Sequence, residues 1–208
     1  MNEFNANESF ELADYDSRWP LLYEQESVLI AGALGDDVID LQHIGSTSVP
    51  GLRAKPIIDI LVAVESFAPI EAYARRLEPI SYHYHSHEDD VDRLFFWKGT
   101  PRTHHLHIVE YATWEHQRHL LFRDYLRAHP DIARWYESIK RELAEAFKGN
   151  RPAYTKGKTA FIKSIMARAV EEISDPSVKK LVDEARRPPP GVSGQASTPR
   201  AQDNPGQG

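Results

Sequence analysis

Over the nine residues from Pro56 to Val64 every position but one is apolar, and this run limits the fold more than any other part of the chain. A strand that is apolar on both faces must be covered on both sides. That places it inside a sheet flanked by helices and not at an exposed edge. The exception is Asp59, a carboxylate that is costly to bury unless it is paired or bound to a cation. Asp59 is therefore either a metal ligand or base, or the ion-pair partner of a neighbour such as Lys55 or Arg53. Side chains alternate along a strand, so Asp59 shares a face with Ile57 and Leu61.

Just upstream lies Gly45-Ser46-Thr47-Ser48, followed after a short interval by Lys55. Glycine lets backbone approach a ligand closely, and successive amides and hydroxyls can accept phosphate oxygens. Lys55 adds positive charge to such a cradle. A tight strand-to-helix turn capped by Ser46 is the plainer alternative, since turns are rich in these residues. The spacing to Lys55 and Asp59 favours phosphate handling.

Ten histidines are present, and six of them fall between positions 83 and 107. On a strand, His105 and His107 project to one face and Leu106 and Ile108 to the other. A His-x-His pair beside an aspartate suits one metal ion, or a neutral pair that hydrogen-bonds phosphate. One core histidine with a solvent-facing neighbour would give the same pattern. His83, His85 and His87 adjoin Glu88-Asp89-Asp90 and read as a loop.

A basic and aromatic group follows: Arg118, Phe122 to Arg127, and Tyr154 to Lys158. Arginine holds phosphate bidentately, and lysine in the first turn of a helix suggests an anion near that end. Arg123, Lys156 and Lys158 are the candidates here, while Phe122, Tyr125 and Leu126 read as core and Arg127 as a solvated surface charge.

The remaining pattern predicts a helix from the Trp19-Pro20 start to a Gly35 stop, with Leu21, Leu22, Val28, Leu29 and Leu34 at helical spacing. Strands are expected at 38–44, 93–98 and 104–111, the last two joined by Gly99-Thr100-Pro101, with a short helix opened by Pro69. From Thr113 onward the chain reads as helices capped by Thr113, Asp131 and Thr155, and a short one from Asp175-Pro176. The expected organisation is an α/β core over 10–112 and a helical region over 113–186. The 22 residues from Arg187 to Gly208 hold five of the 14 prolines and four of the 11 glycines, the composition of a disordered tail. Residues 1–9 read as a flexible N-terminus.

With no cysteine, disulfides, thiolate nucleophiles and thiolate zinc sites are excluded together. A formal charge of −6 argues against bulk nucleic-acid binding and leaves room for a local basic pocket. No stretch resembles a signal peptide or approaches a membrane span, so a cytoplasmic protein without a membrane partner is expected.

The run from His43 to Leu52 with Ala54 to Asp59, then His104 to His107, Phe122 to Leu126 with His129-Pro130, and Tyr154 with Lys158, resembles the GrpB family. The resemblance covers roughly residues 10 to 170. It implies a nucleotidyltransferase-like small mixed sheet with flanking helices and a C-terminal helical region closing over the site. It also implies nucleotide phosphates at the Gly-Ser turn and Asp59 on a metal-bearing strand. A related domain occurs fused to dephospho-coenzyme A kinase, which implies a link to coenzyme A metabolism. Active members of the superfamily carry a second carboxylate two residues after the first and a third on a later strand. Leu61 stands at the second position, and His105 or His107 at the third.

Two functions follow as expectations. One is nucleotidyl or phosphoryl transfer from a nucleoside triphosphate with Mg²⁺ or Mn²⁺, in which Gly45, Ser46, Thr47, Ser48 and Lys55 bind phosphates, Asp59 binds the metal and His105 or His107 acts as ligand or base. The other is a non-catalytic module of the same fold that binds a nucleotide or a coenzyme A-like ligand. A single-metal hydrolase built on Asp59, His105 and His107 is a weaker third.

Overall fold

A computed structural model describes residues 11–86 and 91–185. The expected flexible N-terminus, the expected tail over 187–208 and His87 lie outside the described residues. The elements run α1 (Trp19–Leu34), β1 (Asp40–Ile44), β2 (Ile58–Val64), α2 (Ile70–Leu77), β3 (Tyr82–His85), β4 (Leu94–Lys98) and β5 (His104–Glu110). Helices then follow without further strands: α3 (Trp114–Ala128), α4 (Pro130–Ala146), α5 (Arg151–Gly157), α6 (Thr159–Glu172) and α7 (Pro176–Ala185). The five strands form one mixed sheet in the order β1-β2-β5-β4-β3. β2 and β5 pair in parallel and every other pair is antiparallel.

β2 is an interior strand, as its apolar run requires. On one face Ile58, Ile60, Val62 and Val64 join Leu106, Ile108 and Phe96 under α1 and α2. On the other face Leu61 and Ala63 pack with Ile44 and Val109 against Leu120 of α3. Leu61 is 1% exposed, a core side chain on the same face as Asp59. Only the beginning of that face, at Asp59, is left uncovered.

Several elements differ from expectation. α1 buries Trp19, Glu26, Ile30 and Leu34 and leaves Leu21, Leu22, Val28 and Leu29 exposed. Its rotation is fixed by Glu26, which accepts two hydrogen bonds from Lys98 Nζ at 2.8 and 3.0 Å; a buried carboxylate has to face its cation. His83 and His85 stand on edge strand β3 and not in a loop, with Tyr82 and Tyr84 alternating between them. Thr113 caps α3 by accepting from the His116 amide at 3.2 Å. α4 instead starts at Pro130, one residue before Asp131. Thr155 caps nothing: Asn150 caps α5 through Ala153 N, and the chain breaks at Lys158 before α6.

The helical region has its own core of Tyr125, Leu126, Tyr136, Phe161 and Ile165, and Val49 and Leu52 from the loop before β2 enter it. The loop that carries the Gly-Ser turn is thereby held between the sheet and the helices.

Candidate functional site

Gly45 ends β1 with φ +70° and ψ −172°, a conformation open essentially to glycine alone. A Cβ at this position would lie 2.3 Å from Oδ2 of Asp59, so the turn and the carboxylate fit together only with glycine there. The parallel register sets Asp59 opposite His105 and Leu61 opposite His107, which brings both imidazoles to the carboxylate's face. His105 Nδ1 donates to Asp59 Oδ1 at 2.8 Å, and His107 Nε2 stands 3.8 Å from the same oxygen.

The outer nitrogens of both rings face guanidinium groups. Arg93 Nη1 lies 3.0 Å from His107 Nδ1, and Arg151 Nη2 lies 3.5 Å from His105 Nε2. A guanidinium can only donate, so Nδ1 of His107 accepts and the proton of the neutral ring sits on Nε2, toward Asp59. Burial opposes charge on Asp59, but the hydrogen bond from His105 and the approach of His107 outweigh it and hold the carboxyl well below the usual range. Burial pushes His107 down to about 3, so it is neutral. The result is an ionised carboxylate met by two imidazole N–H groups.

Ligand atoms of Asp59, His105 and His107 lie within 4.8 Å of one another, close enough to hold a cation. The donor chemistry does not favour Mg²⁺, which prefers oxygen ligands. The ring nitrogens turned to Asp59 carry protons in this arrangement, and guanidinium groups back both rings. The residues present fit a closed hydrogen-bond cluster better than a divalent metal site.

Around this cluster is a cavity of about 860 Å³. Eight lysines and arginines line it: Lys55 from the loop before β2, Arg93 and Arg102 flanking β4, Arg118 from α3, Lys140 from α4, Arg151 and Lys158 at the two ends of α5, and Lys163 from α6. Among the described residues, Asp59 is the one acidic residue of the lining. Arg102, Lys140 and Arg151 are 7%, 2% and 8% exposed. Lys55 and Lys158 sit 4.1 and 4.7 Å from the ring centre of Tyr154, cation–π contacts that hold both ammonium groups beside the buried ring. Burial and then the charges of Arg151, Lys158 and Arg102 push Lys55 down to about 6. Burial brings Lys158 to about 8 and, with Lys158 nearby, Lys140 to about 7.

The residues predicted from sequence divide into two groups. Gly45, Ser46, Thr47, Lys55, Asp59, His105, His107 and Lys158 all border the cavity. The Thr47 hydroxyl, however, is 3.0 Å from His43 Nε2 and donates to Ile57 O at 3.3 Å, and Ser48 Oγ donates to Gly45 O at 2.6 Å. These hydroxyls shape the turn, and Ser48 does not border the cavity. Lys156 is exposed and lies outside the lining. Arg123 lies outside the lining and clamps α3 to β1: it donates to Gln42 Oε1 at 2.8 Å and to His43 O at 3.1 Å, and also binds Asp124. Arg127 is not merely a solvated charge, because it donates twice to Ser48 O, at 3.0 and 2.8 Å.

Sequence reasoning missed Arg93, Arg102, Lys140, Arg151, Lys163 and His119 as members of the site. They come from six different elements or turns, and no local spacing marks them. His119 offered the best signal, four residues from Glu115 on α3, to which it bonds at 3.2 Å.

These features define an α/β protein with a basic cavity of about 860 Å³ beside an aspartate on the second strand. The chain belongs to the GrpB family, described as GrpB protein, whose pattern matches residues 9–168. A UPF0157 protein of Pseudomonas aeruginosa is 38% identical over 84% of this chain and 74% of its own length. The crystal structure of the conserved protein GrpB from Enterococcus faecalis superposes with a TM-score of 0.73 at 37% identity, covering 78% of this chain and 98% of that one. A dephospho-CoA kinase of Mycolicibacterium paratuberculosis is 26% identical over 74% of this chain and 44% of the kinase. No helix among the described residues is long and apolar enough to cross a membrane.

Proposed function

We propose that this protein binds a nucleotide or another phosphate-bearing small molecule in the cavity beside Asp59. The observation that carries this reading is the gathering of Lys55, Arg102, Lys140, Arg151 and Lys158, from separate parts of the chain, around one cavity, in a chain of formal charge −6. Cations brought this close repel one another, and a polyanion among them lowers that cost. Lys55, Arg151 and Lys158 are placed to hold phosphate oxygens, with the Gly45-Ser46-Thr47 backbone alongside. A coenzyme A-like ligand belongs to the same class, and the likeness to a dephospho-CoA kinase supports including it.

A second reading is nucleotidyl or phosphoryl transfer, favoured by the 2.8 Å hydrogen bond from His105 to Asp59. With Nδ1–H held by the carboxylate, Nε2 of His105 carries the lone pair and faces Arg151 Nη2 at 3.5 Å; once that guanidinium turns to a phosphate, the ring has the arrangement of a general base oriented by an acid. An acceptor hydroxyl that reached Nε2 would give up its proton there while the cations stabilised charge on the phosphates. The Leu61 position and the single acidic lining residue weigh against two-metal chemistry.

Calorimetric titration with nucleoside triphosphates and coenzyme A, in EDTA and in Mn²⁺, separates the two. Binding in EDTA that survives Asp59→Asn is the expected result. Binding or pyrophosphate release that requires both metal and Asp59 transfers support to the catalytic reading. The absence of binding to any of these ligands removes the transfer reading and excludes nucleotides and coenzyme A as the phosphate-bearing ligand.

A further inference from the structure

Much of the cavity wall has no use for a phosphate. α6 turns Ile162, Met166 and Val170 to the cavity, α3 turns Trp114 and Phe122, and Val182 of α7 adjoins them. The α6 residues recur every four positions, as do Trp114, Arg118 and Phe122, so each set is one helix face. Arg118 interrupts the α3 face, but its guanidinium is bound to Glu115 within the same helix.

We propose that the ligand is amphipathic: a phosphate or diphosphate ester whose remaining part is a nonpolar alkyl, acyl or prenyl chain. The head lies among Lys55, Arg151 and Lys158, and the chain lies along the wall of α3, α6 and α7. This inference rests on the phosphate-binding reading and adds what the phosphate is attached to. A purine or pyrimidine ring carries donors and acceptors on its edge, and along this wall the polar groups are the indole N–H of Trp114, Lys163, and Arg118 and His119, the last two already engaged by Glu115. An alkyl chain needs none, and each methylene taken from water onto such a wall is favourable. A cavity of about 860 Å³ lies within the range of small-molecule sites and exceeds what a phosphate group alone fills.

The test is calorimetric titration of the full chain in EDTA with inorganic diphosphate and with butyl, hexyl and octyl monophosphate below their micelle concentrations. Affinity is expected to rise about threefold to fourfold per added methylene. Met166→Ser, at a half-buried position, and Val170→Asp are each expected to flatten that dependence and to leave inorganic diphosphate binding unchanged. If butyl, hexyl and octyl phosphate bind alike while diphosphate binds, the amphipathic ligand is overturned and the phosphate-binding reading stands. If adenosine triphosphate binds more tightly than octyl phosphate, the nonpolar chain is likewise overturned in favour of a base. If none of the probes binds, both readings fall together.

Discussion

Gly45 and Asp59 occupy adjoining space that only a residue without a Cβ allows them to share. The clearance is 2.3 Å to Oδ2, well inside van der Waals contact, and the backbone at Gly45 is also in a glycine-only region. Gly45→Ala is therefore expected to cost about 1–3 kcal/mol of stability and to displace the carboxylate from His105. Urea denaturation measures the first effect. The second is read by nuclear magnetic resonance as a shift of the His105 ring signals, and unchanged signals would show that Asp59 has room to spare.

Lys55 makes stability depend on pH. Its folded-state value is lowered from 10.5 to about 6, so between those values the unfolded chain holds a proton that the folded chain lacks. Stability then rises with pH across the window and is lowest below it. Lys55→Met is expected to reduce the rise in melting temperature between about pH 6 and about pH 9. A bound phosphate favours the charged form, so diphosphate binding at neutral pH should take up protons. Titration in buffers of different ionisation enthalpy measures this, and an uptake unchanged in Lys55→Met would exclude Lys55 as its source.

Arg123→Ala removes hydrogen bonds from α3 to Gln42 and to the His43 carbonyl. The expected loss is about 1–3 kcal/mol of stability, since a charged donor is withdrawn from partly buried acceptors. Diphosphate affinity of the folded fraction should be unchanged. A large loss of affinity at full stability would return Arg123 to the binding site.

Leu61→Asp tests the second-carboxylate position that the resemblance to nucleotidyltransferases implies. Leu61 packs with Ile44, Ala63 and Val109, so the expected result is destabilisation by about 3 kcal/mol or more and no gain in metal-dependent transfer. A stable variant that releases pyrophosphate would show the opposite.

The sheet was legible because its strongest strand, β2, needs two covered faces, and alternation put His105 and His107 on one face; the parallel register that sets them beside Asp59 depends on pairing across 46 residues and was not. β3 was not, because Tyr82 to His85 is four residues long and its histidines looked like loop polarity beside an acidic run; the alternating tyrosines were the missed signal. α1 misled through its leucines, because the buried Glu26–Lys98 pair, a contact across 72 residues, decides which side faces in. Hydroxyl types at Thr47 and Ser48 could not reveal whether they point to a ligand or back to the turn. The cationic lining is a product of topology: Arg93, Arg102, Lys140 and Arg151 meet only after the strands and helices are assembled.

α7 contributes Val182 to the cavity, and α6 contributes Val170, yet the segment matched to the family ends at residue 168. The charged floor and part of the rear wall thus belong to different portions of the chain. A change in α7 or at the end of α6 would therefore alter what can lie against that wall and leave untouched the strands that carry Asp59, His105 and His107.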